Sequence, residues 1–199
     1  MNSFDLLHLL YKFQLEAKLP IVFDKNKVSN PPADNIQVTW LGHATVLFQI
    51  EGVNVLADPV FSDYCGPQWV SRLGYKRYRK PACEIRDLEG LIDVVIISHD
   101  HYDHLDYPSV KEITKVAPEA QWYVGEGLEE WMRSSGCKNV MERRWWQGSK
   151  LTVRDKDLTF TCVPTQHWCQ RGIMDMNKVG EPSASLYNHN IYHPAIITA

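Results

Sequence analysis

The segment Ser98-His99-Asp100-His101-Tyr102-Asp103-His104 follows directly on Asp93-Val94-Val95-Ile96-Ile97, and that junction restricts the fold more than any other stretch of the chain. A short apolar run rich in β-branched residues reads as a strand buried on both faces, the kind found in parallel sheets. Three imidazoles and two carboxylates in the seven positions after it have no use in a packed core, and as a group they suit a cation. Histidines two apart on extended backbone direct both rings to one side of a strand end. The turn that follows brings Asp103 and His104 round to an adjacent position, so two neighbouring cation sites are expected. Neutral imidazole and carboxylate suit zinc, iron or manganese, and the spacing does not choose among them. A solvated loop that happens to be histidine-rich is the competing reading, and the buried strand leading into the cluster argues against it.

Elsewhere the pattern is that of an α/β domain. Residues 36–42 (IQVTWLG) and 45–59 (TVLFQIEGVNVLADP) give two or three β-rich runs, with Glu51-Gly52 as the turn of a hairpin. Tyr107-Pro108 opens a helix with proline in its first turn, and residues 127–135 read as a second helix that stops at Gly136. Gln121–Val124, Asn139-Val140, Leu151–Val153 and Leu158–Val163 read as further strands. Residues 1–35 are expected to form an amphipathic N-terminal helix and a polar, proline-containing linker, and the domain proper starts near Ile36. Between Pro59 and Glu89 the periodicity lapses into a connection too long to be only a link, which marks it as a functional loop.

Composition narrows the class. Hydrophobic residues make up 44% and aromatic residues 11%, which is a packed globular protein rather than a disordered one. A net charge of −3 gives no reason to expect nucleic acid as a partner. The five cysteines are scattered without a CxxC pair, which predicts a reduced, intracellular setting. The first residues include Asp5 and His8 and lack a basic leader, so neither a signal peptide nor a membrane span is expected there. Within the long connection, Tyr75-Lys76-Arg77-Tyr78-Arg79-Lys80 interleaves four cations with aromatics, and Lys76, Arg77, Arg79 and Lys80 are candidates for phosphate or membrane-surface contact. An ordinary solvated loop is the alternative there.

Ser98–His104 resembles the signature of the metallo-β-lactamase superfamily. With Trp40-Leu41-Gly42-His43-Ala44-Thr45, Leu56-Ala57-Asp58-Pro59, His104-Leu105-Asp106-Tyr107, Trp145-Trp146 and Gln166-His167-Trp168-Cys169, the chain is similar to the branch of phospholipases D that hydrolyse N-acylphosphatidylethanolamine. The resemblance implies an αββα sandwich, of which residues 36–179 would supply mainly the first αβ half, with 180–199 a divergent tail. It implies two zinc ions in the family, with His99, His101 and His167 on one and Asp103 with His104 on the other, Asp103 also counting as catalytic. Asp58 and His43 would stand behind these ligands, orienting them. The implied reaction is zinc-dependent phosphodiester hydrolysis at a membrane surface, in which metal-activated water releases an N-acylethanolamine and leaves phosphatidic acid.

Past Val179 no Gly-Asp-Thr-Gly stretch and no later histidine in a ligand context follows. The expectation is therefore a shortened member with one well-formed zinc site at most, two protein ligands for the second ion, and an apolar sheet face left open. Such a chain would pair with itself or with a full-length relative, or persist as a zinc-binding fragment without turnover. Hydrolysis of another ester or phosphodiester is the remaining alternative.

Overall fold

The computed structural model describes residues 23–33, 35–67, 74–164 and 184–186. Strands β1 (Gln37–Gly42), β2 (Thr45–Ile50) and β3 (Val53–Ala57) form an antiparallel meander in which Phe48 stands opposite both Val38 and Val55. Glu51 and Gly52 have φ of 51° and 83°, the left-handed pair that a two-residue hairpin turn requires. In the long connection after β3, two short strands pair, β4 (Tyr64–Cys65) with β5 (Tyr75–Lys76), and a 3-10 helix follows at Ile85–Leu88.

The chain then turns parallel. β6 (Val94–Ile96) lies beside β3, β7 (Gln121–Gly125) beside β6 and β8 (Asn139–Arg143) beside β7, giving a mixed sheet of order β1-β2-β3-β6-β7-β8. Helix α2 (Tyr107–Val116) links β6 to β7 and α3 (Glu129–Ser134) links β7 to β8, as parallel neighbours require. Both faces of the central strands are apolar, which is why their sequence reads as a continuous run. Leu47, Leu56, Val95, Ile97, Trp122 and Val124 pack against Val110 and Ile113 of α2 and Met132 of α3.

The opposite face carries Phe48, Val55, Val94, Ile96 and Tyr123, the surface expected from sequence to lie open. It is covered over its centre. β9 (Gly148–Val153) and β10 (Lys156–Cys162) pair as a hairpin, and Leu158 and Phe160 bury themselves against this face, with the Phe160 ring stacked on Tyr123 at 4.5 Å. β11 (Ala184–Leu186), inside the segment read as a tail, pairs antiparallel with β10 and extends this second sheet to three strands. Arg154 at the hairpin tip donates to the Gly52 carbonyl at 2.6 Å and meets Asp93 at 2.7 Å, fastening one sheet to the other. Among the described residues, the inner face is open toward β1, where Val38 and Trp40 are 57% and 48% exposed.

A second difference lies in the expected linker. Lys25–Ser29 is a short helix, α1, whose N-cap Asp24 accepts from the backbone N–H groups of Asn26 and Lys27. Val28 is buried in the core beneath it, and Gln49 donates to the Val28 carbonyl at 2.8 Å. Cap and anchor together order a stretch whose composition suggests a linker. The expected helix in the first eighteen residues lies outside the described residues.

Candidate metal centre

β3 and β6 run parallel and end together, so Asp58 and Ser98 emerge side by side; the Asp58 N–H donates to the Ile96 carbonyl at 2.9 Å. Asp58 sits at φ 42°, a left-handed conformation that aspartate tolerates better than most residues. Its carboxylate is fully buried and its hydrogen bonds run to Ser98 and His104. Oδ1 accepts from the Ser98 N–H at 2.7 Å, and Oδ2 takes the Ser98 hydroxyl and His104 Nδ1, each at 2.7 Å.

That arrangement fixes two tautomers. With the proton on His104 Nδ1 facing Asp58, the lone pair lies on Nε2. The Ser98 hydroxyl, having donated to Asp58, accepts from His99 Nδ1 at 2.9 Å, which leaves the His99 lone pair on Nε2 as well. His99 Nε2 in turn lies 2.9 Å from His101 Nδ1. Two imidazole nitrogens thus converge on one space.

After His101 the chain closes a helical turn, with the His104 and Leu105 N–H groups donating to the His101 carbonyl at 3.0 and 2.8 Å. Leu105, fully buried, pins the turn to the core. Asp106 then caps α2 and also receives the Ser62 hydroxyl at 2.7 Å, while Ser109 Oγ accepts from the Phe61 N–H at 2.9 Å. The start of the long connection is therefore stapled to the far side of the ligand turn.

Asp103 projects from the turn toward His43. His43 Nε2 lies 3.0 Å from Asp103 Oδ2, and His104 Nε2 lies 3.9 Å from that same oxygen. The His43 hydrogen bond is the largest cause holding the Asp103 carboxyl well below the usual carboxylate range, against the opposing effect of its partial burial, and His104 adds to the depression. Burial alone would lower the pKa of His104; its hydrogen bond and charge interaction with Asp58 outweigh that and raise it. His43 sits in the β1–β2 turn at φ 52°, and the Trp40 indole donates to its carbonyl at 2.8 Å. It is both a turn residue and a neighbour of the cluster.

Of the four cations in the long connection, Lys76 and Lys80 are exposed and Arg79 is half-buried. Arg77 turns inward. Its guanidinium donates to the Val60 carbonyl at 2.8 Å and the Arg79 carbonyl at 2.6 Å, and burial lowers its pKa. Arg77 is a clamp within the protein. His167 lies outside the described residues.

The donor set fits divalent cations: His99 and His101 converge at one place, and His43, Asp103 and His104 at another, where their ligand atoms lie within 4.8 Å of one another. The sequence pointed to the ligands but not to the supporting roles of Ser98, Asp106 and Arg77. Asp106 was findable as a capping residue ahead of Tyr107-Pro108, whereas the contacts of Ser98 and Arg77 carry no sequence signal.

Fold and cluster together define an α/β protein of the metal-dependent hydrolase type. A family profile describing a "Beta-lactamase superfamily domain" matches residues 53–190, and the chain belongs to the metallo-β-lactamase superfamily. It is 44% identical over 144 residues to "N-acyl-phosphatidylethanolamine-hydrolyzing phospholipase D 1" of Caenorhabditis elegans, a match covering 70% of this chain and 40% of that protein. The mitochondrial enzyme of the same name from Saccharomyces cerevisiae is 31% identical over 163 residues, covering 82% of this chain and 33% of the relative. The chain thus spans well under half the length of these curated relatives. Among solved structures, a possible metal-dependent hydrolase from Veillonella parvula superimposes over 80% of this chain and 60% of its own, with a TM-score of 0.56 at 18% identity, a likeness of fold alone.

Proposed function

We propose that the chain carries the zinc-binding part of a phosphodiesterase of phospholipase D type, with N-acylphosphatidylethanolamine as substrate and N-acylethanolamine and phosphatidic acid as products. The observation that carries this reading is the convergence of His99, His101, Asp103 and His104 at the parallel strand ends, with Asp58 fixing the ring of His104. The identity to phospholipases D in two organisms supports the choice of substrate.

His99 and His101 would hold one cation, and Asp103 with His104 would take part in holding a second. Bound there, the cations would supply Lewis acidity toward phosphoryl oxygens and toward a water nucleophile. The chain's own contribution is preparation. Asp58 keeps the proton of His104 on Nδ1, Ser98 does the same for His99, and Asp103 remains ionised at neutral pH. The exposed Lys76 and Lys80 would face the anionic surface from which the lipid is drawn.

The test is release of N-acylethanolamine from mixed micelles by the zinc-loaded chain and by its His99→Ala/His101→Ala variant. Zinc-dependent release lost in the variant supports the reading. Zinc uptake without any release would make the chain a metal-binding fragment of the family, and release unaffected by the double substitution would remove the site from the reaction.

A further inference from the structure

We propose that His43 is a metal ligand, completing with Asp103 and His104 a cation site that lies wholly within residues 43–104. This rests on the reading of the cluster as a metal centre and adds to it a ligand that the sequence suggested only as a residue standing behind the ligands.

The argument is first geometric. Asp103 Oδ2 is 3.0 Å from His43 Nε2 and 3.9 Å from His104 Nε2, and one ligand atom from each residue falls within a 4.8 Å group. Bonds of about 2.0–2.1 Å in a tetrahedral zinc site place ligand atoms about 3.3 Å apart, so contraction of the two longer separations by side-chain rotation closes the site. The donor chemistry agrees. Two imidazoles and one carboxylate, with a fourth position open, form a ligand set that zinc accepts in catalytic sites. The side chains of His43 and Asp103 are 45% and 39% exposed, which leaves the open position facing solvent.

Each ligand is also held from behind. His104 is oriented by the fully buried Asp58, as metal-bound histidines usually are by a carboxylate. His43 is fixed by its left-handed backbone and by the Trp40 indole on its carbonyl. Behind it Gly42 lies at φ 119°, and an added Cβ there would come 3.0 Å from Arg77 Nη2, so the turn is backed by the clamped arginine. The three ligands thus come from two rigid segments. The second ion would have three protein ligands in this chain, where the sequence promised two.

Cobalt(II), which reports coordination by its visible absorption, is the probe. Stoichiometry and affinity are measured by equilibrium dialysis and plasma mass spectrometry on the wild type, His99→Ala/His101→Ala, His43→Ala and His43→Gln, the last keeping a hydrogen bond to Asp103. The double variant should retain one cobalt per chain with tetrahedral absorption. Both His43 substitutions should weaken that ion by more than about 100-fold, beyond the range seen when only a supporting partner of a ligand is lost, with melting temperatures close to wild type. Loss of about 100-fold or less, or an unchanged spectrum in His43→Gln, would make His43 a positioning residue for Asp103 and overturn the proposal while leaving the metal centre intact. Loss of all cobalt in His99→Ala/His101→Ala overturns it equally. No cobalt on the wild type would overturn both this site and the function proposed above.

Discussion

Asp58 Oδ2 and His104 Nδ1, forty-six residues apart, meet at 2.7 Å because two parallel strands end at the same level. Ser98 shares the same carboxylate and passes its influence to His99, so one buried acid orients a histidine in each half of the cluster.

Asp58→Asn should therefore leave the fold in place, since asparagine also tolerates a left-handed backbone, and weaken metal binding about 10–100-fold. Competition with a chromophoric chelator measures the affinity, and circular dichroism checks the fold. Unchanged affinity would mean that the ring of His104 is held by other means.

Leu105 belongs to the ligand turn but is wholly buried. Leu105→Ala should cost about 2–5 kcal/mol by loss of burial and creation of a cavity. Urea denaturation gives the value, and a cost below 1 kcal/mol would show that the turn collapses onto the space.

The basic segment divides into two roles. Arg77→Ala removes the side-chain donor from the part-buried carbonyls of Val60 and Arg79 and should destabilise the chain by about 1–3 kcal/mol. Lys76→Glu with Lys80→Glu should change stability by about 0.5 kcal/mol or less and reduce sedimentation with anionic vesicles. Equal effects of the two substitutions on melting would contradict the inward role of Arg77.

Three thiols respond to pH in one direction. Burial pushes Cys65 up to about 11 and Cys83 and Cys137 up to about 12, from an ordinary 9.0. An unfolded chain releases these protons near pH 9 while the native one keeps them, so stability should fall as pH rises above 9.0 and be unaffected by these groups below it. Urea midpoints at pH 8 and pH 10 test the sign. Iodoacetamide at pH 8 should label Cys65, Cys83 and Cys137 slowly in the native chain and readily in urea.

What the sequence discloses follows the range of the interactions. The meander, the parallel strand before the histidines and the proline-started helix were legible because period, turn chemistry and capping are local. The superfamily was legible because a strand and its ligands adjoin in the chain. The nearness of His43 to the cluster came only through the resemblance and its direct contact with Asp103 not at all, since sixty residues separate them and the pairing of β1 with β2, β2 with β3 and β3 with β6 brings them together. The cover over the inner sheet face was missed for a similar reason. Leu158 and Phe160 read as one more strand, and nothing local says which sheet it lies upon. Arg77 looks like its neighbours in the segment until its carbonyl partners are seen.

Gly42 offers no functional group, yet its φ of 119° strains any L side chain, and an added Cβ would press on the Arg77 guanidinium at 3.0 Å. In a deep mutational scan selected for metal-dependent function, this glycine would therefore score like a ligand, intolerant even of alanine. The map of sensitive positions would extend one residue behind the histidine it presents, into a place where chemistry alone would not look.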